Sequence, residues 1–110
     1  IWQAAFEHCD MLTTINLPSG VTTIKSATFK NCQSLNSIII PDGVHHIANG
    51  AFYGCINMTT ITLPASVKYI GDDIFKHCIR LETIHIPGGT KEQFCSIGLA
   101  EYEKLMVEDI

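Results

Sequence analysis

With 110 residues the chain has room for one domain and one continuous core, but not for a second domain with its own catalytic cleft. A content of 46% apolar and 16% charged residues excludes a disordered tail, because such a chain buries enough surface to offset the entropy of ordering. Formal net charge is −4, with Glu92, Glu101, Glu103, Glu108 and Asp109 near the end, and the few scattered basic residues offer no footprint for a phosphate backbone.

From the first residue onward the same residue classes return every 23 positions. Each unit opens on an isoleucine, at Ile1, Ile24, Ile47 and Ile70. Phenylalanine follows at Phe6, Phe29, Phe52 and Phe75, and cysteine at Cys9, Cys32, Cys55 and Cys78. Next come Leu12, Leu35, Met58 and Leu81, then Ile15, Ile38, Ile61 and Ile84, and then Leu17, Ile40, Leu63 and Ile86. Proline closes this stretch at Pro18, Pro41, Pro64 and Pro87, and Val21, Val44 and Val67 lead into the next unit. In the first unit Ile15 and Leu17 alternate with Thr14 and Asn16, the period-2 pattern of a half-buried strand, so one strand is predicted per unit over the Leu12–Leu17 positions. Proline cannot donate to a ladder and ends it. Four such strands make a short parallel sheet, because each unit returns by the same route. One unit alone buries too little to fold, so stability has to come from stacking on neighbours.

This unit resembles the 23-residue repeat of BspA-like leucine-rich repeat proteins, and the resemblance covers essentially the whole chain. It implies a leucine-rich repeat solenoid, strand-rich α/β, with a second short strand near Val21–Ile24 and a brief helical turn at Ala27–Phe29. It also implies a closing module in the segment from Gly89 to Leu105. The repeat pattern breaks there on its own terms, since Thr90 stands where valine is due and Gln93 where isoleucine is due. Thr90 with Gln93 is a capping-box arrangement, so a helix should start at Lys91 and lay Phe94 and Ile97 over the last repeat. A second helical segment is predicted over Leu99–Met106, with Leu99, Tyr102 and Leu105 inward. The expected organisation is one domain, 1–110, with four repeats over 1–89 and a cap over 90–110. Residue 1 falls on the isoleucine of a repeat and no signal peptide opens the sequence, so the expectation is a truncated N-terminus and the C-terminal part of a longer protein. The exposed edge at Ile1, Trp2 and Phe6 is then a candidate for association.

The longest apolar run, Ser37 to Ile40, stops at Pro41, far short of the roughly 18 to 20 residues of a membrane span. Cys9, Cys32, Cys55 and Cys78 stand one per repeat in a line, whereas structural zinc takes ligands paired two to four residues apart around one point. They are read as free buried thiols that pack as small hydrophobes, and Phe6, Phe29, Phe52 and Phe75 as their companion ladder. Cys95 lies outside the ladder, packs in the cap, and is the one site expected to react in the native protein. His8 and His77 precede ladder cysteines, but their equivalents are Asn31 and Gly54, which marks a polar turn rather than a Cys-His nucleophile. His45-His46 is an exposed pair. Asp72-Asp73 lacks the further oxygens calcium needs and is a charged turn. Asn57-Met58-Thr59 matches a glycosylation acceptor on an exposed turn.

What remains is a surface. Thr14, Asn16, Ser37, Ile39, Thr60, Thr62, Thr83 and His85 should project from the sheet in two parallel rows, with no catalytic, metal or cofactor site among them. The resemblance implies a cell-surface or secreted module whose adhesive contact, with a protein or extracellular-matrix ligand, uses that strand face; the alternative is a structural spacer with no ligand of its own. Nucleic acid and membrane insertion are not expected.

Overall fold

The computed structural model describes residues 5–108. In chain order the elements are β1 (Thr23–Ile24), β2 (Ser37–Ile39), β3 (His46–Ile47), β4 (Thr60–Thr62), β5 (Tyr69–Ile70), β6 (Thr83–Ile86), α1 (Lys91–Phe94) and β7 (Met106–Glu108). A π-helical turn, Cys95–Leu99, and a 3-10 turn, Ala100–Leu105, lie between α1 and β7.

Two parallel sheets result, ordered β1-β3-β5 and β2-β4-β6-β7. Register is that of the repeat: Ile38 pairs with Ile61 and Ile61 with Ile84, while Ile24 pairs with Ile47 and Ile47 with Ile70. The larger sheet has four strands, but not the four expected from the repeats. The first repeat contributes only an isolated bridge, Asn16 to Ile39. As the outermost rung it packs on one side, so Ile15 and Leu17 stay half-buried where Ile38, Ile61 and Ile84 are buried. At the other end the open edge of β6 recruits β7, pairing Ile84 with Met106 and His85 with Val107. Met106, expected in a helix, therefore belongs to the sheet.

A third ladder runs along the turns that link the sheets. Ala27, Phe29 and Asn31 donate backbone N–H groups to Asn49, Ala51 and Tyr53, and Gly50, Phe52 and Gly54 repeat the pattern on Asp72, Ile74 and Lys76. The segment at Ala27–Phe29 is not the helical turn expected, because Ala27 has φ 56°, a left-handed conformation that breaks any α-helix. It is a series of i to i+3 turns, with Lys30 N donating to Ala27 O and Cys32 N to Phe29 O.

Inside, Phe6, Phe29 and Phe52 stack nearly parallel with centroids 5.4 Å apart, and Phe52 continues to Phe75 at 6.1 Å. Tyr102 of the cap ends this column edge-on to Phe75 at 5.4 Å. Each such pair contributes about 0.5–1.5 kcal/mol beyond its buried area. The cap starts as predicted: the Thr90 hydroxyl accepts from Gln93 N at 3.1 Å. The reciprocal half of the capping box is replaced. Gln93 Nε2 instead donates to the carbonyls of Ala65 and Val67, at 2.7 and 3.3 Å, and so ties the helix to the preceding repeat. Phe94 and Leu99 are buried over the core, with Ile97, Tyr102 and Leu105 packed partly against it. Of the N-terminal edge proposed for association, Ile1 and Trp2 lie outside the described residues, while Phe6 is half-buried.

Candidate functional site

The cysteines are structural donors. Cys32 Sγ donates to Phe6 O at 2.9 Å, Cys55 Sγ to Phe29 O at 3.1 Å and Cys78 Sγ to Phe52 O at 3.0 Å, each thiol thus tethering its repeat to the one before. All five cysteines are free. Burial pushes the Cys32 thiol up to about 11, and the neighbouring Cys78 thiol together with burial raises Cys55 as well. Thiols held protonated in this way are poor nucleophiles. Cys9 is half-exposed like Cys95, so two sites rather than one are open to reagents.

His8, Asn31, Gly54 and His77 share one backbone conformation, with φ between 60° and 74°. That explains a series that looked chemically miscellaneous: the ladder cysteine must be preceded by a left-handed residue, and asparagine, glycine and histidine tolerate that region best. The His8 imidazole lies 3.5 Å from the Glu7 carboxylate. Asn57 is not a free exposed acceptor. Its Nδ2 donates to Gln33 O at 2.6 Å and its Oδ1 accepts from Arg80 at 2.9 Å, so the amide is an inter-repeat clamp. Asp72 and Asp73 sit in a turn, Asp72 N donating to Asn49 Oδ1 at 2.7 Å and Asp73 having φ 59°. They line one wall of a cleft of about 530 Å³ whose other wall is Leu99, Glu101 and Tyr102 of the cap. The Tyr102 phenol is raised by burial and then by Glu101. Among the described residues no group of three or more His, Cys, Asp or Glu converges as metal ligands, and no helix is long and apolar enough to cross a membrane.

The strand face is organised as the alternation requires. Ser37, Thr60 and Thr83 form one row, and Ile39, Thr62 and His85 the other, with Asn16 bridged to Ile39 at its head. Thr14, Asn16, Ser37 and Ile39 are exposed, and Thr60, Thr62, Thr83 and His85 are half-buried. Ile39 is 69% exposed. No repeat pattern marks β7 as an extension of this face, yet Val107, 46% exposed, stands beside His85 as the next rung of the second row.

Parallel strands in register, one per repeat, joined by a second small sheet and closed by a helical cap, define a leucine-rich repeat solenoid. The chain belongs to the BspA-type leucine-rich repeat family: the family described as BspA type Leucine rich repeat region (6 copies) matches residues 1–99. It is similar to a leucine rich cell surface protein from Faecalibacterium prausnitzii A2-165, with 35% identity, a TM-score of 0.82 and coverage of 86% of this chain and 25% of that one. It is also similar to a leucine-rich repeat protein from Bacteroides ovatus ATCC 8483, with 32% identity, a TM-score of 0.70 and coverage of 99% and 24%. The chain thus spans about a quarter of the length of either structure. No curated protein matched.

Proposed function

We propose that the chain is a non-enzymatic interaction module of a bacterial surface protein, contacting a protein or extracellular-matrix ligand across the β2-β4-β6-β7 face. The observation that carries this reading is Ile39, 69% exposed on the edge strand β2 of the platform, where the equivalent positions hold the polar residues Asn16, Thr62 and His85. An exposed threonine suits a strand equally well, so folding does not call for isoleucine here. A partner that covered the side chain would gain about 1.5–3 kcal/mol. Surface location is supported by the family and by the Faecalibacterium relative, itself a cell surface protein. The non-enzymatic reading is supported by the use to which the reactive groups are put: the ladder thiols are engaged as hydrogen-bond donors.

The test is Ile39→Glu combined with Thr60→Lys, which keeps net charge unchanged. Binding of the 110-residue chain to immobilised extracellular-matrix extract is measured beside a circular-dichroism melt. Loss of binding with an unchanged melt is the expected result. Unchanged binding would point instead to a spacer.

A further inference from the structure

The strand platform has no tryptophan, tyrosine or arginine among its named residues, whereas the smaller sheet carries a tyrosine. The equivalent segments 22–25, 45–48 and 68–71, which contain β1, β3 and β5, read Thr-Thr-Ile-Lys, His-His-Ile-Ala and Lys-Tyr-Ile-Gly. They hold Lys25, His45, His46, Lys68 and Tyr69 and no carboxylate, in a chain whose formal net charge is −4. Ile24 and Ile47 are buried, so alternation turns Thr23, His46 and Tyr69 to the outer side. Lys25, His45 and Lys68 are exposed. Tyr69 is 65% exposed, and His46 meets its ring edge-on at 5.0 Å, steadying it without covering it. The parallel register places His46 beside Thr23 and Tyr69 beside His46.

We propose that the outer face of β1-β3-β5 is a second docking surface, and that its ligand is an anionic polysaccharide. Charge sets the sign of the partner: the exposed ammonium groups of Lys25 and Lys68 flank the strands, and no acid lies within the three segments. Sugar chemistry follows from the rest. The exposed tyrosine ring offers an apolar surface with a polar tip, which suits the C–H face of a sugar ring, and the hydroxyl and imidazole groups beside it suit sugar oxygens. An acidic peptide would need seats for its apolar side chains, and the side chains of this face are polar apart from one ring. Successive rungs stand at the strand spacing of about 4.8 Å, so a ligand laid along the solenoid meets Thr23, His46 and Tyr69 in turn.

The experiment is binding of the 110-residue chain to immobilised heparin, with polyglutamate and neutral dextran as the comparison polymers. Heparin should bind, with an affinity that falls as salt is raised, and neither comparison polymer should match it. Lys25→Gln with Lys68→Gln should weaken heparin binding about tenfold, the equivalent of about 1.4 kcal/mol. Tyr69→Ala should weaken it roughly threefold or more. All three side chains are exposed, so the melting curves should not move. Ile39→Glu with Thr60→Lys, on the other sheet, should leave heparin binding unchanged, which separates this surface from the strand platform. Absence of heparin binding, full retention in the double glutamine variant, or equal binding of polyglutamate would each overturn the proposal.

Discussion

Gly54→Ala is the substitution that most directly probes the turn ladder. Gly54 is buried, has φ 74° and donates its N–H to Lys76 O at 2.8 Å, so the backbone cannot relax out of the left-handed region without breaking a rung. An alanine there carries about 1–2 kcal/mol of left-handed strain. Its Cβ would also overlap the side-chain amide oxygen of Asn31 and lie 3.2 Å from the amide carbon, and overpacking of this kind costs about 1–3 kcal/mol. A stiffer unfolded chain returns about 0.4–1 kcal/mol. The net loss is about 1–5 kcal/mol, which for a chain of this length lowers the melting temperature by roughly 4–20 °C. Thermal unfolding followed by circular dichroism measures it. Adding Asn31→Gly removes the overlap but not the strain at position 54, so the double variant should recover part of the loss and show a favourable coupling. If Gly54→Ala melts within the error of the parent, the turn ladder does not constrain position 54 and the reasoning fails.

Ala27→Gly tests the same geometry in the opposite direction: at φ 56° a glycine relieves about 1–2 kcal/mol of strain and gives back part of it in entropy, so Tm should rise by a few degrees; a fall would be contrary evidence. Thiol reagents should modify native protein at Cys9 and Cys95 and reach all five cysteines only after unfolding, and fast native labelling of Cys55 would contradict the buried ladder. Because the folded state holds the Cys32 proton more tightly, with a pKa of about 11 against an ordinary 9.0, its contribution to stability is complete below about pH 9 and is lost as pH rises through 11; denaturant midpoints measured from pH 8 to pH 11 should fall accordingly. Deleting residues 90–110 removes β7 and the Tyr102 contact with Phe75 and exposes Phe75, Ile84 and Ile86, so size-exclusion chromatography should show association; a monomer with an unchanged Tm would refute the cap.

The repeat was legible because three residue types with little freedom keep one spacing. Phenylalanine, cysteine and proline each do a job that no neighbour substitutes for: the stacked column, the thiol tether and the end of the strand. The cap helix was legible for the same reason, since Thr90 is a local signal. β7 was not, because Met106, Val107 and Glu108 carry no strand pattern of their own; they are extended because β6 offers an unpaired edge, a fact of tertiary structure. The series His8, Asn31, Gly54 and His77 was visible in the sequence but not interpretable as chemistry, since what its members share is a backbone angle. Of the candidate site, alternation alone places the outward rows on the sheet face, whereas Val107 and Tyr69 lie beyond its reach, one placed by the cap and the other on a sheet whose outward face the repeat pattern did not single out.

In a stack of this kind the polar residues that look functional in sequence are often the ones the structure has already spent. Asn57 would be the natural nomination, an amide in an acceptor motif, yet it joins Gln33 on one side to Arg80 on the other. Ser66 accepts from Gly43 N and donates to Val44 O, and Asn49 accepts from Asp72 N, so these too hold repeats together. Side chains with no such duty are a better guide to where a partner meets the molecule, and large exposed apolar or aromatic ones are the most informative, because water does not reward them. Ile39 and Val107 mark one face and Tyr69 the other. The two faces differ in charge as well as position, the first without a charged side chain among its named residues and the second with Lys25 and Lys68. A single ligand that used both would have to wrap the solenoid and change its own chemistry from neutral to anionic on the way. Two separate ligands require neither, so paired substitutions on one face should leave binding at the other intact.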